Sequence, residues 1–214
     1  MNFFPKWCNG LRTLAGAGAA AAGLYVVALV AYGASPKTLN VGFAPEQPVP
    51  FSHAMHAGEL GLDCRYCHTT VEQGARAAIP PTETCMNCHT RIRPQSELLA
   101  PVFASWSDGA SVRWKRVHDL PDYVYFDHSA HVTRGVACIS CHGRVDTMER
   151  VRQEQPLSMG WCLDCHRNPT PNLRPPEFVT AMEWTPDRPA AEIGAEIAQA
   201  KQIQPSTDCS TCHR

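Results

Sequence analysis

The sequence predicts a mostly irregular chain with short α-helices and one N-terminal transmembrane helix, on the strength of three observations. Cys-x-x-Cys-His occurs five times, beginning at Cys64, Cys85, Cys138, Cys162 and Cys209. From Ala34 onward only 32 of 181 residues are Leu, Ile, Val or Phe, too few for a conventional core. Leu14 to Gly33 is an uncharged run of twenty residues, the length of a bilayer-spanning helix.

The five motifs use ten of the eleven cysteines. Two thiols three apart, with a histidine beside the second, let one turn of chain hold a flat macrocycle by its edge and its metal together. This is the spacing of c-type haem attachment, in which the thiols bond the porphyrin vinyl groups and the histidine binds iron. Cys-x-x-Cys alone also serves zinc sites and redox centres. Five copies with His always in the same place point instead to five covalently attached haem c groups. The bonding thiols would be Cys64, Cys67, Cys85, Cys88, Cys138, Cys141, Cys162, Cys165, Cys209 and Cys212. The proximal ligands would be His68, His89, His142, His166 and His213.

Ten histidines are present, and the five outside the motifs are His53, His56, His118, His128 and His131, one for each remaining axial position. A low-spin haem takes two axial ligands, usually a second His or a Met. Met148, six residues after the third motif, and Met159, three before Cys162, are the alternative distal ligands; Met55, Met86 and Met182 also stand near motifs or in the strap. A His/Met iron has the higher potential, so a mixed set would form a gradient.

A low aliphatic fraction with a large net charge would indicate disorder, but the net charge here is −1. The interior is therefore expected to be filled by porphyrin, and no nucleic-acid partner is expected. Trp106, Trp114, Trp161, Trp184, Tyr66 and Tyr125 are candidate walls against haem faces, and ordinary aromatic packing explains each equally well. Arg65, Arg76, Arg91, Arg93, Lys115 and Arg116 could pair with propionates, or stand as solvated charges.

Lys6 and Arg12 precede the apolar run, as in a positive-inside flank or a signal n-region. Its length favours an uncleaved anchor, while Ala31-Tyr32-Gly33 leaves processing open; Cys8 lies before the run and outside the motifs. Ala15 to Gly23 contains only Ala and Gly, a surface another helix can approach closely, which favours a multi-subunit membrane complex over a solitary anchor. Covalent haem attachment belongs to the non-cytoplasmic side, so the haem domain is expected on the periplasmic face of the inner membrane.

Phe51-Ser52-His53-Ala54-Met55-His56 precedes Cys64 by seven residues, and Phe126-Asp127-His128-Ser129-Ala130-His131 precedes Cys138 by six. Gly61 and Gly135 each stand three before the cysteine, and a second motif follows after 16 and 19 residues respectively. The pattern is a dihaem module written twice, with a fifth site appended. The expected organisation is 1–13 cytoplasmic n-region, 14–33 anchor, 34–50 tether, 51–115 first module with linker, 116–167 second module, and 168–214 Pro-rich strap, helix and fifth site. Short helices are expected around Pro94 to Phe103 and from Ala190 to Gln204, with Ile193 and Ile197 on one face of the latter. The fifth motif, one residue from the end of the sequence, is a candidate point for electrons to join or leave.

Phe-x-His-x-x-His is similar to the segment before the first haem in small multihaem cytochromes of the c3 and c7 type. Histidines at i and i+3 share a helix face, so one segment can ligate two haems. The resemblance implies that His53 serves the haem of His68 and His128 that of His142, leaving His56, His131 and His118 for the other three in an open order. The whole arrangement resembles the pentahaem, singly anchored cytochrome subunit of alternative complex III. The matching stretches are DCRYCHT at 63–69, IPPTETCMNCH at 79–89, RVHDLPDYVYFDHSAH at 116–131 and LSMGWCLDCHR at 157–167. That resemblance implies a large iron–sulfur subunit related to molybdopterin oxidoreductases, polytopic quinol-binding membrane subunits and a monohaem cytochrome c as partners. Electrons from quinol would leave to a soluble carrier or a terminal oxidase. No residue is then catalytic. The competing readings are a single-helix-anchored quinol dehydrogenase feeding a periplasmic enzyme, and a multihaem reductase with one open iron.

Overall fold

The computed structural model describes residues 5–34 and 40–213. The first four residues of the expected n-region, residues 35–39 of the expected tether and the last residue lie outside it. α1 runs Cys8–Gly33, longer than the apolar stretch, and no proline stands between Cys8 and Leu14 to stop it. Its 26 residues extend about 39 Å at 1.5 Å per residue. Gly10–Gly33 is long and apolar enough to cross a membrane, and none of its residues is buried against the rest of the chain.

The remainder is short helices joined by ordered loops: α2 Cys64–Cys67, α3 Thr82–His89, α4 Ala100–Asp108, α5 His128–Val132, α6 Cys138–His142, α7 Met159–Arg167, α8 Ala190–Ala200 and α9 Cys209–Cys212. No strand forms among the described residues, and one isolated antiparallel bridge joins Val136 to Leu173. The mostly irregular, short-helical class expected from composition is the one found. Each motif is itself a helix or part of one (α2, α3, α6, α7 and α9), which puts its two thiols on one face. Asp63 caps α2 through Arg65 N–H at 2.8 Å, and Ser158 caps α7 through Trp161 N–H at 3.3 Å.

Three expectations shift. The helix read around Pro94 to Phe103 begins later, as a 3-10 turn at Glu97–Leu99 leading into α4. Pro101 sits in the first turn of α4, where its missing N–H costs nothing, and Gly109 ends the helix in the left-handed conformation at φ +67°. The Pro-rich strap, whose prolines predict extended backbone without a regular element, carries two 3-10 turns, Thr170–Asn172 and Pro176–Phe178. The tether is docked from residue 40 onward: Gly42 N–H donates to Gln153 O at 2.8 Å, Gln153 N–H to Phe43 O at 3.0 Å, and the Gln47 amide exchanges two bonds with the Lys115 backbone.

Aliphatic packing is small, as the composition requires. Val49, Met86 and Val102 form one cluster with Leu99, Phe103, Val112 and Trp114 around it. Leu173, Val179, Ala137, Val132 and Ile193 are buried near the strap and α8. α8 buries Ile193 and half-buries Ile197, as expected, against the Thr170–Asn172 turn. Gly194 makes that approach possible, since a Cβ there would lie 1.8 Å from Thr170 O.

Candidate functional site

The histidines are set up from the backbone. Seven of the ten place Nδ1 on a main-chain carbonyl: His56 on Ser52 (2.8 Å), His68 on Ala78 (2.8 Å), His89 on Ile92 (2.9 Å), His128 on Ala75 (2.9 Å), His131 on Asp127 (2.7 Å), His166 on Ser206 (2.6 Å) and His213 on Tyr123 (3.1 Å). A carbonyl can only accept, so Nδ1 carries the proton and Nε2 keeps its lone pair. That is the tautomer and orientation a metal-binding imidazole needs, fixed in the usual way by the bond its other nitrogen makes.

Rings then meet in pairs. His56 faces His89 at 6.3 Å between centroids, His128 faces His142 at 6.3 Å, and His131 faces His166 at 6.1 Å. Two imidazoles on opposite sides of one metal, each bonded at about 2.0–2.1 Å, have centroids about 6 Å apart. Each pair joins a motif histidine to one outside the motifs. His53 and His68 are close enough to repel as cations, and burial, then His68 and His56, hold His53 down at about 4. His142 lies deep among four other imidazoles, although the residue keeps some exposed surface. Burial first, then His118, His128, His68 and His53, push it down to about 3. Burial likewise lowers His118 and His131. All are therefore neutral near pH 7, the form that binds a metal.

The duplicated segments have nearly superposable ring geometry. Phe51 is edge-on to His53 (4.9 Å, 85°) and stacked on His56 (4.3 Å, 24°). Phe126 is edge-on to His128 (4.8 Å, 87°) and stacked on His131 (4.6 Å, 29°). The phenylalanine is a spacer that turns the two imidazoles in different directions.

The donor set fits haem and not zinc. The ten motif cysteines stand in pairs on helical turns, and burial raises the thiols of Cys67, Cys85, Cys141 (to about 12), Cys162 and Cys165. The described residues contain no group of three or more His, Cys, Asp or Glu arranged on a single metal ion, as a closed zinc site requires. Two buried imidazole nitrogens, His53 Nδ1 and His118 Nε2, have no hydrogen-bond partner; for His118 this is the atom that would bond iron.

Other expectations are met unevenly. His118 lies 4.4 Å from His142, edge-on, and the ring beside His213 is Tyr123 at 5.8 Å. Met148 is 2 % exposed, with its carbonyl accepting from Ala54 N–H, whereas Met159 is 66 % exposed in the first turn of α7. Met86 belongs to the Val49 cluster, and Trp114 packs against that cluster. Trp184 stacks on Phe178 and under the Arg174 guanidinium, and Trp106 and Tyr125 are exposed. Arg65 is taken by Asp63 and Glu72, and Arg116 by Asp119. Sequence reading missed the carbonyl anchors at Ala75, Ala78 and Ser206, because a backbone acceptor leaves no residue signature.

Paired cysteines on helical turns, each pair followed by an imidazole and four of the five imidazoles held through Nδ1 with Nε2 left available, are the marks of multihaem c-type cytochrome domains. The comparisons agree. Residues 124–214 match the family of cytochrome c7 and related cytochrome c, and residues 31–105 match the class III cytochrome c family. Among curated proteins, the multihaem cytochrome c subunit of menaquinone reductase from Nitratidesulfovibrio vulgaris is 34 % identical over 121 residues, 56 % of this chain and 56 % of that protein. The chain thus spans about half the length of that relative.

Proposed function

We propose that this chain is a pentahaem c-type cytochrome that relays electrons between a membrane quinol-oxidising complex and a periplasmic carrier or terminal oxidase. The observation that carries the reading is the pairing of motif and non-motif imidazoles at 6.1–6.3 Å. At these three sites both axial positions would be filled, so the iron would exchange electrons and offer no place for a substrate, which argues against reductase chemistry there. The ten motif cysteines hold the porphyrins; His68, His89, His142, His166 and His213 are proximal; His53, His56, His128 and His131 are distal to the first four in turn. His118 lies against His142 and Tyr123 beside His213, so the distal partner of the fifth motif is not among the paired imidazoles. The haem iron supplies one-electron exchange. The chain's own contribution is to fix seven of the imidazoles by an Nδ1 carbonyl bond and to exclude water, which keeps reorganisation small.

α1 serves as the anchor, and the haem domain lies on the periplasmic side. The Ala/Gly face of α1 packs on polytopic quinol-binding subunits, with an iron–sulfur subunit of the molybdopterin-oxidoreductase type and a monohaem cytochrome c completing the complex. In this reading the chain is the counterpart of the cytochrome subunit of alternative complex III, which its sequence resembles. A second direction of flow, toward quinone, is favoured by the relative's being a subunit of menaquinone reductase.

The test is purification of the chain from native membranes in mild detergent, with mass spectrometry of what accompanies it. A large iron–sulfur subunit, polytopic partners and quinol:acceptor activity are expected. Quinone reduction by the same assembly would reverse the direction. The chain alone with its haems would leave the single-helix quinol dehydrogenase in its place.

A further inference from the structure

Nothing in the order of the motifs along the chain says which attachment sites are neighbours in space. We infer that they are strung in the order second, first, third, fourth, fifth, so that the two modules join through the first and third sites. This rests on the pentahaem reading above and deepens it.

Each link stands on contacts between side chains or backbone groups that hold two sites at once. The second and first meet where Asn87 Nδ2 donates to Tyr66 Oη at 3.1 Å; each residue is the one before the second cysteine of its own motif. The Phe51–His56 segment spans the same two sites, with His56 facing His89 and His53 beside His68.

The first and third are joined by the loop at 74–78. Ala78 O holds His68 Nδ1 at 2.8 Å, while Ala75 O accepts from both the ring and the backbone N–H of His128, at 2.9 and 3.2 Å. Ser129 N–H adds a bond to Gly74 O at 3.1 Å. Carbonyls three residues apart on a first-module loop thus orient the first motif's histidine and the histidine that faces His142. The strap makes the same junction from another side: Val179 O accepts from Cys138 N–H at 3.0 Å, and the next residue, Thr180, donates to Asp63 beside Cys64 at 2.8 Å.

α5 joins the third and fourth, with His128 on His142 and His131, one turn on, against His166. Ser206 joins the fourth and fifth. Its carbonyl accepts from His166 at 2.6 Å, and its hydroxyl pairs at 2.9 Å with Thr211, inside the fifth motif. Exposure agrees independently: Cys88 and Cys209, in the second and fifth motifs, are exposed, and the other motif thiols are half-buried. The ends of the string are the sites open to partners, and every electron that crosses between them passes the junction of the first and third.

The measurement is the position of each iron in the haem-loaded chain purified from membranes, by iron-edge anomalous diffraction or cryo-electron microscopy. The iron of the first motif is expected nearest to those of the second and third, with the second and fifth farthest apart. Five irons with the second closer to the third than the first is would overturn the string and leave the relay standing. Fewer than five irons would overturn the pentahaem reading, and the string with it.

Discussion

Phe51–His56 and Phe126–His131 hold three rings in the same arrangement but reach their cysteines by different backbones. The second segment forms α5 and arrives at Cys138 after six residues; the first winds as a π-helix, Ala54–Glu59, and arrives at Cys64 after seven. A π turn takes an extra residue into the same rise, and Leu60 N–H donates to Met55 O five residues back at 3.0 Å. The longer spacer is thereby absorbed before the motif begins. Both leads end on a glycine at positive φ, Gly61 (+65°) and Gly135 (+99°). Ring placement is what the two regions share, and the backbone yields to it. The regions differ in their surroundings: the third motif is enclosed by strap and loop, and the second lies at an exposed edge.

The largest effect expected from that difference is in assembly. Replacing Cys138 and Cys141 by Ser should lower the yield of haem-loaded protein by about tenfold or more, because a central site couples cofactor binding to the folding of both modules. The same change at Cys85 and Cys88 should give protein lacking one haem, counted by pyridine haemochrome against protein mass. Equal losses would erase the contrast between centre and edge.

Removing the distal candidates one at a time sharpens the similarity instead. His56→Ala and His131→Ala should each convert one low-spin haem to high-spin in the electron paramagnetic resonance spectrum, leaving the others in place. An unchanged spectrum in either variant would remove that histidine from the ligand set.

Glycine substitutions separate the two leads by stability. A Cβ at Gly135 would lie 2.4 Å from Arg174 O, so Gly135→Ala combines overpacking with backbone strain and should cost about 3 kcal/mol. Gly61 has nothing within 4 Å of such a Cβ, and Gly61→Ala should cost only about 1 kcal/mol. Thermal unfolding of the two haem-loaded variants reads the difference.

The smallest effect is a pH dependence at the first motif. The Arg65 side chain, with help from its backbone N–H and from Thr180, holds the Asp63 carboxyl down at about 2. A folded-state value below the unfolded one stabilises above about pH 4, and that contribution fades as the pH falls toward 2. Asp63→Asn should flatten the acid limb of a stability–pH curve, whereas Asp127→Asn in the second module, where the carboxylate is fully exposed, should change it less.

Much of the site was legible in the residues. The motif spacing picks out the candidate thiols and proximal histidines, and the repeated Phe-x-His-x-x-His picks out four of the five other histidines as candidate ligands, because covalent and coordinate chemistry demands particular side chains at particular intervals. The shortage of aliphatic residues announced a small protein core, and an apolar run of twenty announced α1 for the same kind of reason: each depends on composition over a short stretch.

What the sequence could not supply is anything decided between distant segments. That His56 faces His89, that His118 lies beside His142 rather than His213, and that Ala75, Ala78 and Ser206 aim the imidazoles all depend on where loops return in space. Backbone carbonyls belong to every residue, so no pattern marks the ones that are used. The chain's chemistry was therefore set locally by side-chain identity and spacing, and its wiring was set by tertiary contacts, because neighbourhood in space is a property of the folded path.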